Sequence, residues 1–208
     1  ELLEEALPGE VVGCYNIVEP ERLIKSDAEL EYIREAADIV EAGTQAGIDT
    51  VGKAVNENDI AANTYSGLIR NGAMHGTRVY VTSGTRSALP HARWKGRTVR
   101  RGEPVNFEVG AAVNRYYASL WQTAHVGDSV PPVVERVEEA VTNGLQAAID
   151  QIEPDVPADE VHDACQSVLQ EAGYAEFSPH RTGYSLGIGF PPGWGEGHIV
   201  SIGPGDDT

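Results

Sequence analysis

The stretch RRGEPVNFEVGAAVNRYYASLWQTAHVG, Arg100–Gly127, decides the fold. From Val105 onward it is dense in β-branched and aromatic residues, which reads as two strands reversing near Ala112–Arg115, with Gly110 a tolerated break. Just upstream, TRVYVTSG alternates apolar and polar residues and reads as another strand, ending at Gly84. Working outward, Ser26 opens SDAE, a capping box in which Ser26 and Glu29 satisfy free amides at a helix start. Leu30, Ile33, Ala36, Ala37 and Val40 then keep helical spacing, predicting a helix over about 27–47. A second helix is predicted from Asp59 to Arg70, stopped by Asn71 and Gly72. Pro131 and Pro132 start a long helix in PPVVERVEEAVTNGLQAAIDQI, and DVPADEVHDACQSVLQEAG forms another, closed by Gly173. The order is two helices, three strands, two helices, then a glycine-rich strand. That order predicts an α+β fold with helices packed on one face of a curved antiparallel sheet.

The opening ELLEEALPGEVVGCYNIVEPERL reads as a linker and a strand leading into a helix. Residues 1–23 are therefore expected to be a linker or the end of a preceding domain. The ending GPGDDT follows directly on a turn, so the sheet is expected to lack its last strands.

Composition bounds the function. A chain of 208 residues that is 41% apolar can build one sizeable core. No run approaches ~18 apolar residues and no basic-then-apolar leader opens the sequence, so no membrane partner and a cytoplasmic location are expected. Cys14 and Cys165 form no cluster and read as ordinary buried thiols. With 32 acidic against 15 basic residues, the net charge of −17 makes nucleic acid a poor partner. The same charge fits a protein that works in concentrated salt, where screening relieves self-repulsion.

Among the six histidines, His75, His125, His162 and His198 have no partner pattern and read as surface or boundary residues. His91 differs: it ends the loop SGTRSALPH after a strand, where a rigid sheet can present a reactive side chain. His180 reads as a structural hydrogen-bonding residue. The following HRTGYSLGIGFPPGWGEG, His180–Gly197, is rich in glycine, proline and aromatics. Gly183, Gly187 and Gly189 permit either a tight strand crossing or a ligand against bare backbone. Pro191 and Pro192 halt pairing, and Trp194 and Glu196 are expected to project from a rigid loop. The loop is either a mere turn or the aromatic wall of a small-molecule pocket.

Four blocks carry a resemblance: IKSDAELEYIREAADIVEAG, TSGTRSALPH, RRGEPVNFEVGAAVNRYYASLWQTAHVG and HRTGYSLGIGFPP. Their order and spacing resemble the creatinase, prolidase and methionine aminopeptidase superfamily, over nearly the whole chain from Ile24. The resemblance implies the pita-bread fold, here residues 24–208 and truncated at the C-terminus, with an active site on the concave face of the sheet. It also implies a homodimer. Metal-dependent members carry two Asp, one His and two Glu as ligands. The first Asp falls on Glu108, the second on Ser119 and the His on Tyr184; a second His of the aminopeptidase pattern falls on Pro191, and the two Glu fall beyond Thr208. Ser119 and Tyr184 cannot replace a bridging carboxylate and an imidazole, so no metal and no other cofactor are expected.

His91 matches the acid–base His of creatinase, although the creatinase strand glutamate falls on Trp121. The GYSLGIGFPPGWGE pattern looks closest to the ectoine hydrolase branch. The implied function is metal-independent hydrolysis of a non-peptide or cyclic C–N bond in a small molecule. His91 would be catalytic, and Glu108, Trp121, Tyr184 and Trp194 would bind substrate. Two alternatives remain open: a metal-dependent Xaa-Pro dipeptidase or aminopeptidase, and an inactive pita-bread binding domain.

Overall fold

The capping box forms as its residues predict: the Glu29 amide donates to Ser26 Oγ (3.4 Å) and the Ser26 amide to Glu29 Oε2 (2.8 Å). The computed structural model describes residues 5–14, 17–75, 77–191 and 193–208. A short helix, α1 (Glu19–Leu23), leads into α2 (Asp27–Ile48), which runs the predicted course. Helix α3 (Glu57–Arg70) starts two residues before the expected position, because the Asn56 side chain accepts the Asn58 amide at 2.8 Å and caps it. The strand expected in the opening residues does not form within 5–14, where no ladder partner is present, and Cys14 in that stretch, expected to be buried, is exposed, while Cys165 is buried as expected.

Strands β1 (Arg78–Ser83), β2 (Pro104–Val113) and β3 (Tyr116–His125) make an antiparallel sheet in the order β1-β2-β3. The β2–β3 reversal is a two-residue turn in which Asn114 (φ 48°) and Arg115 (φ 71°) are both left-handed, matching the twist of the hairpin. One face of the sheet carries Val79, Val81, Val105, Phe107, Val109 and Ala111, all buried with Ile39, Val40, Ile60 and Leu68 of α2 and α3. The opposite face is left for the site.

Helices α4 (Pro132–Gln151) and α5 (Ala158–Glu171) form a hairpin around Ala140, Ala148, Val161, Cys165 and Leu169. Gly173, at φ 79°, ends it as predicted. His162, expected to be a surface or boundary residue, is buried on α5, its Nδ1 2.8 Å from Thr182 Oγ1. That contact fixes the hairpin to the chain entering the glycine-rich stretch.

The expected glycine-rich strand shrinks to β4 (Gly183–Tyr184), paired with β5 (Ser201–Ile202). Beyond it, among the described residues, the backbone pairs with the sheet at a single bridge, Tyr116 with Ile188, in which the Tyr117 amide donates to Gly187 O (3.0 Å) and the Gly189 amide to Arg115 O (2.9 Å). Of the two prolines expected to halt pairing, Pro192 lies outside the described residues. Trp194 and Glu196, expected to project, are both buried.

Candidate active site

Register brings three side chains of the candidate site into one row. Tyr80 pairs with Glu108 across β1–β2, and Glu108 with Trp121 across β2–β3. Alternation places all three on the face opposite the helix-covered core, with Gly110 and Ser119 one step further along. The loop after β1 reaches over this row, its ends held by one carboxylate. Glu57, fully buried, accepts the Ser83 amide (2.9 Å), the Ser83 hydroxyl (2.6 Å) and the Lys95 amide (2.9 Å).

Within that loop His91 takes φ 56°, a left-handed conformation uncommon outside glycine. The imidazole faces the row, with Nδ1 2.8 and 2.9 Å from the two oxygens of Glu108. It also packs on Tyr80 (5.8 Å between ring centroids) and Trp121 (6.3 Å). Burial raises the Glu108 carboxyl above its ordinary pKa, and the neighbouring His91 works against that shift. The His91 side chain keeps 60% of its surface exposed, so an incoming molecule can reach it.

The opposing wall comes from the glycine-rich stretch. Trp194 lies directly on Gly110, where a Cβ would stand 2.5 Å from its ring. Its ring meets Tyr80 edge-on at 5.9 Å, and its Nε1 donates to the Tyr184 hydroxyl oxygen at 2.8 Å. The Arg181 guanidinium stacks 4.5 Å above the Tyr184 ring, whose edge fits against Gly195. Glu196, against Gly187, binds Arg22 (2.5 Å) and Lys25 (2.8 Å), so the segment expected to be a linker is fastened to this wall. These glycines therefore admit the protein's own side chains; they do not leave bare backbone for a ligand. Between the walls is a cavity of about 250 Å³ lined by Glu108, Ser119, Trp121, Tyr184, Leu186 and Trp194.

The donors at the described ligand positions, Glu108, Ser119 and Tyr184, do not fit a dinuclear metal centre. Both Glu108 oxygens face an imidazole nitrogen, Ser119 offers a neutral hydroxyl, and the Tyr184 oxygen already receives an indole N–H. Among the described residues no three His, Cys, Asp or Glu side chains converge as ligands. Such a centre uses carboxylates to bridge two cations.

Of the residues singled out from sequence, His91, Glu108 and Trp121 meet directly. Tyr184 and Trp194 form the facing wall of the same cavity, while His180 stands exposed outside it. Sequence reading missed Tyr80, whose alternation within TRVYVTSG was the available signal. It also missed Glu57, Arg181 and the partners of Glu196, for which no local pattern exists.

A sheet with helices on one face and this site on the other is the pita-bread arrangement of the creatinase, prolidase and aminopeptidase superfamily. Residues 31–206 match metallopeptidase family M24, and the chain belongs to that family. It is 27% identical over 189 residues to a Xaa-Pro dipeptidase of Pyrococcus horikoshii, covering 90% of this chain and 54% of that protein. It is 25% identical over 217 residues to the ectoine hydrolase of Halomonas elongata, covering 100% of this chain and 54% of that protein. The solved prolidase from Pyrococcus furiosus superposes with a TM-score of 0.83 at 26% identity, covering 93% of this chain and 56% of that one. The chain thus spans about half the length of the curated relatives it matches.

Proposed function

We propose that the protein hydrolyses a C–N bond in a small non-peptide molecule by a metal-independent, ectoine hydrolase-like route. The observation that carries this reading is the His91–Glu108 pair. With Nδ1–H donated to the carboxylate, His91 Nε2 is left with the lone pair, able to take a proton from water and return it to the leaving nitrogen. Holding His91 left-handed is a local strain compatible with such a role. Trp121 and Trp194 supply ring faces for a delocalised cation, each worth roughly 0.5–2 kcal/mol, and Tyr184 lines the same cavity. Residues 24–208 are then the greater part of a catalytic unit that includes Arg22 through its bond to Glu196. The family resemblance supports a homodimer and a cytoplasmic site of action. No described helix is long and apolar enough to cross a membrane.

A second reading, a metal-dependent Xaa-Pro dipeptidase, is favoured by the 0.83 superposition on a prolidase. One experiment separates the two: elemental analysis of the full-length protein purified in molar KCl, with turnover of ectoine measured with and without chelator. Little metal and chelator-resistant turnover, abolished by His91→Ala without loss of folding, is expected. About two metal ions per chain with chelator-sensitive cleavage of Xaa-Pro dipeptides would transfer the function to the second reading. Absence of any turnover would leave a binding domain.

A further inference from the structure

The Tyr184 hydroxyl is held unusually firmly for a residue lining a cavity. Arg181 covers one face of its ring, Gly195 leaves room for its edge, and the indole N–H of Trp194 occupies one side of the oxygen. A phenolic O–H prefers the plane of its ring, so an N–H arriving on one side turns the hydroxyl hydrogen to the other. Among the described residues that hydrogen has no acceptor. Tyr184 lines the cavity, so an occupant can provide one. Both contacts also strengthen the donor: accepting the Trp194 hydrogen bond polarises the O–H, and the guanidinium over the ring draws electron density from it.

The remaining polar group on the cavity wall with a formal charge is Glu108, and its two oxygens face His91 Nδ1, whereas the Tyr184 hydroxyl is engaged by Trp194 and its ring by Arg181. The cavity wall therefore offers a carboxylate with one set of partners and an O–H backed by a guanidinium with another. A cation is served by the first and an anionic oxygen by the second.

We propose that Tyr184, oriented by Trp194, is the specificity-determining residue that receives the substrate's carboxylate, so that the site selects small zwitterions over cations of the same ring size. This rests on the hydrolase reading for its substrate but concerns recognition, not chemistry. Tyr184 is the binding residue and Trp194 a positioning residue acting through it.

The test uses the full-length protein carrying His91→Ala, so that binding is measured without turnover. The probes, titrated calorimetrically, are ectoine and the same ring lacking its carboxylate. Ectoine is expected to bind about 10- to 100-fold more tightly than the ring alone, the range of one charge-assisted hydrogen bond. Tyr184→Phe should erase that preference by weakening ectoine alone. Trp194→Phe, which keeps an aromatic side chain but removes the N–H, should erase part of it and add little on top of Tyr184→Phe. An equal loss for both probes, or an undiminished preference in Tyr184→Phe, overturns the assignment; so does failure of ectoine to bind the His91→Ala protein. Tyr184-dependent binding of ectoine, with no turnover by the wild-type protein, would sink the hydrolase reading while leaving this one standing.

Discussion

Gly110→Ala should destabilise the protein although it replaces glycine in the middle of a strand, where alanine ordinarily helps. An added Cβ stands 2.5 Å from Trp194 Cε3, 3.0 Å from Cζ3 and 3.1 Å from Cδ2, all inside the 3.4 Å at which ordinary contact begins. The indole must retreat by about 1 Å, yet Tyr80 blocks it edge-on and its N–H is committed to Tyr184. Overpacking of this kind costs about 1–3 kcal/mol, against about 0.4–1 kcal/mol gained by restricting the unfolded chain. The net loss is about 1–2 kcal/mol, equivalent to roughly 2–8 °C in the melting temperature of a domain of this size. Thermal and urea unfolding of the wild type, Gly110→Ala, Trp194→Leu and the double variant would measure it. With the indole gone, Gly110→Ala should become neutral or stabilising. An equal penalty in both backgrounds would refute the indole-on-glycine packing.

Glu57→Gln should cost about 1–3 kcal/mol, because a buried ionised acceptor of two amides and a hydroxyl becomes neutral. Limited proteolysis should cut first within 84–95, and turnover should fall as His91 loses its support. Glu196→Gln leaves Arg22 and Lys25, both partly exposed, without their shared carboxylate; solvent screening holds the loss to about 1–3 kcal/mol. Proteolysis near residues 17–25 should then accelerate. Glu108→Gln should separate stability from activity. A carboxyl whose folded pKa is raised contributes fully below its unfolded value and loses that contribution as pH rises through the folded one. The variant should therefore gain stability relative to wild type as pH is raised from about 4 to 7, with turnover lost; no pH-dependent gain would contradict the burial assigned to Glu108.

What could be read in the chain depended on how far apart the interacting residues lie. Helices α2–α5 and strands β1–β3 were legible because apolar spacing, the Ser26–Glu29 box and the Pro131–Pro132 start act within a few residues, whereas the short β4–β5 pair has no such local signal. His91 stood out because a histidine closing a loop after a strand is a local pattern, and Glu108, Trp121 and Tyr184 followed from motif resemblance. Tyr80 needed the register that sets it opposite Glu108. The groups that donate to the Glu57 carboxylate, Ser83 and Lys95, are 26 and 38 residues away, and Glu196 meets Arg22 and Lys25 across 174 and 171 residues. No pattern within a window can announce those pairings. The glycines gave a true signal of close approach but not of what approaches; only the folded chain shows Trp194 on Gly110 and Tyr184 against Gly195.

That distinction bears on how a metallopeptidase-family fold could work on a different donor set. A bridged pair of cations concentrates charge at the floor of the site, and the residues around it must supply anions. Here the position opposite Gly110 is Ser119, and Trp194 and Tyr184 fill the space above with rings whose polar atoms bond each other. Among the described residues the carboxylate at the floor is Glu108, already matched by His91. The cavity sets a few polar groups, Glu108, Ser119 and the Tyr184 hydroxyl, among rings and Leu186, so those groups decide how an occupant is oriented. On the proposed hydrolase reading, the imidazole–carboxylate pair of His91 and Glu108 and the Tyr184 hydroxyl would take the place of bridged cations in handling a small charged ring.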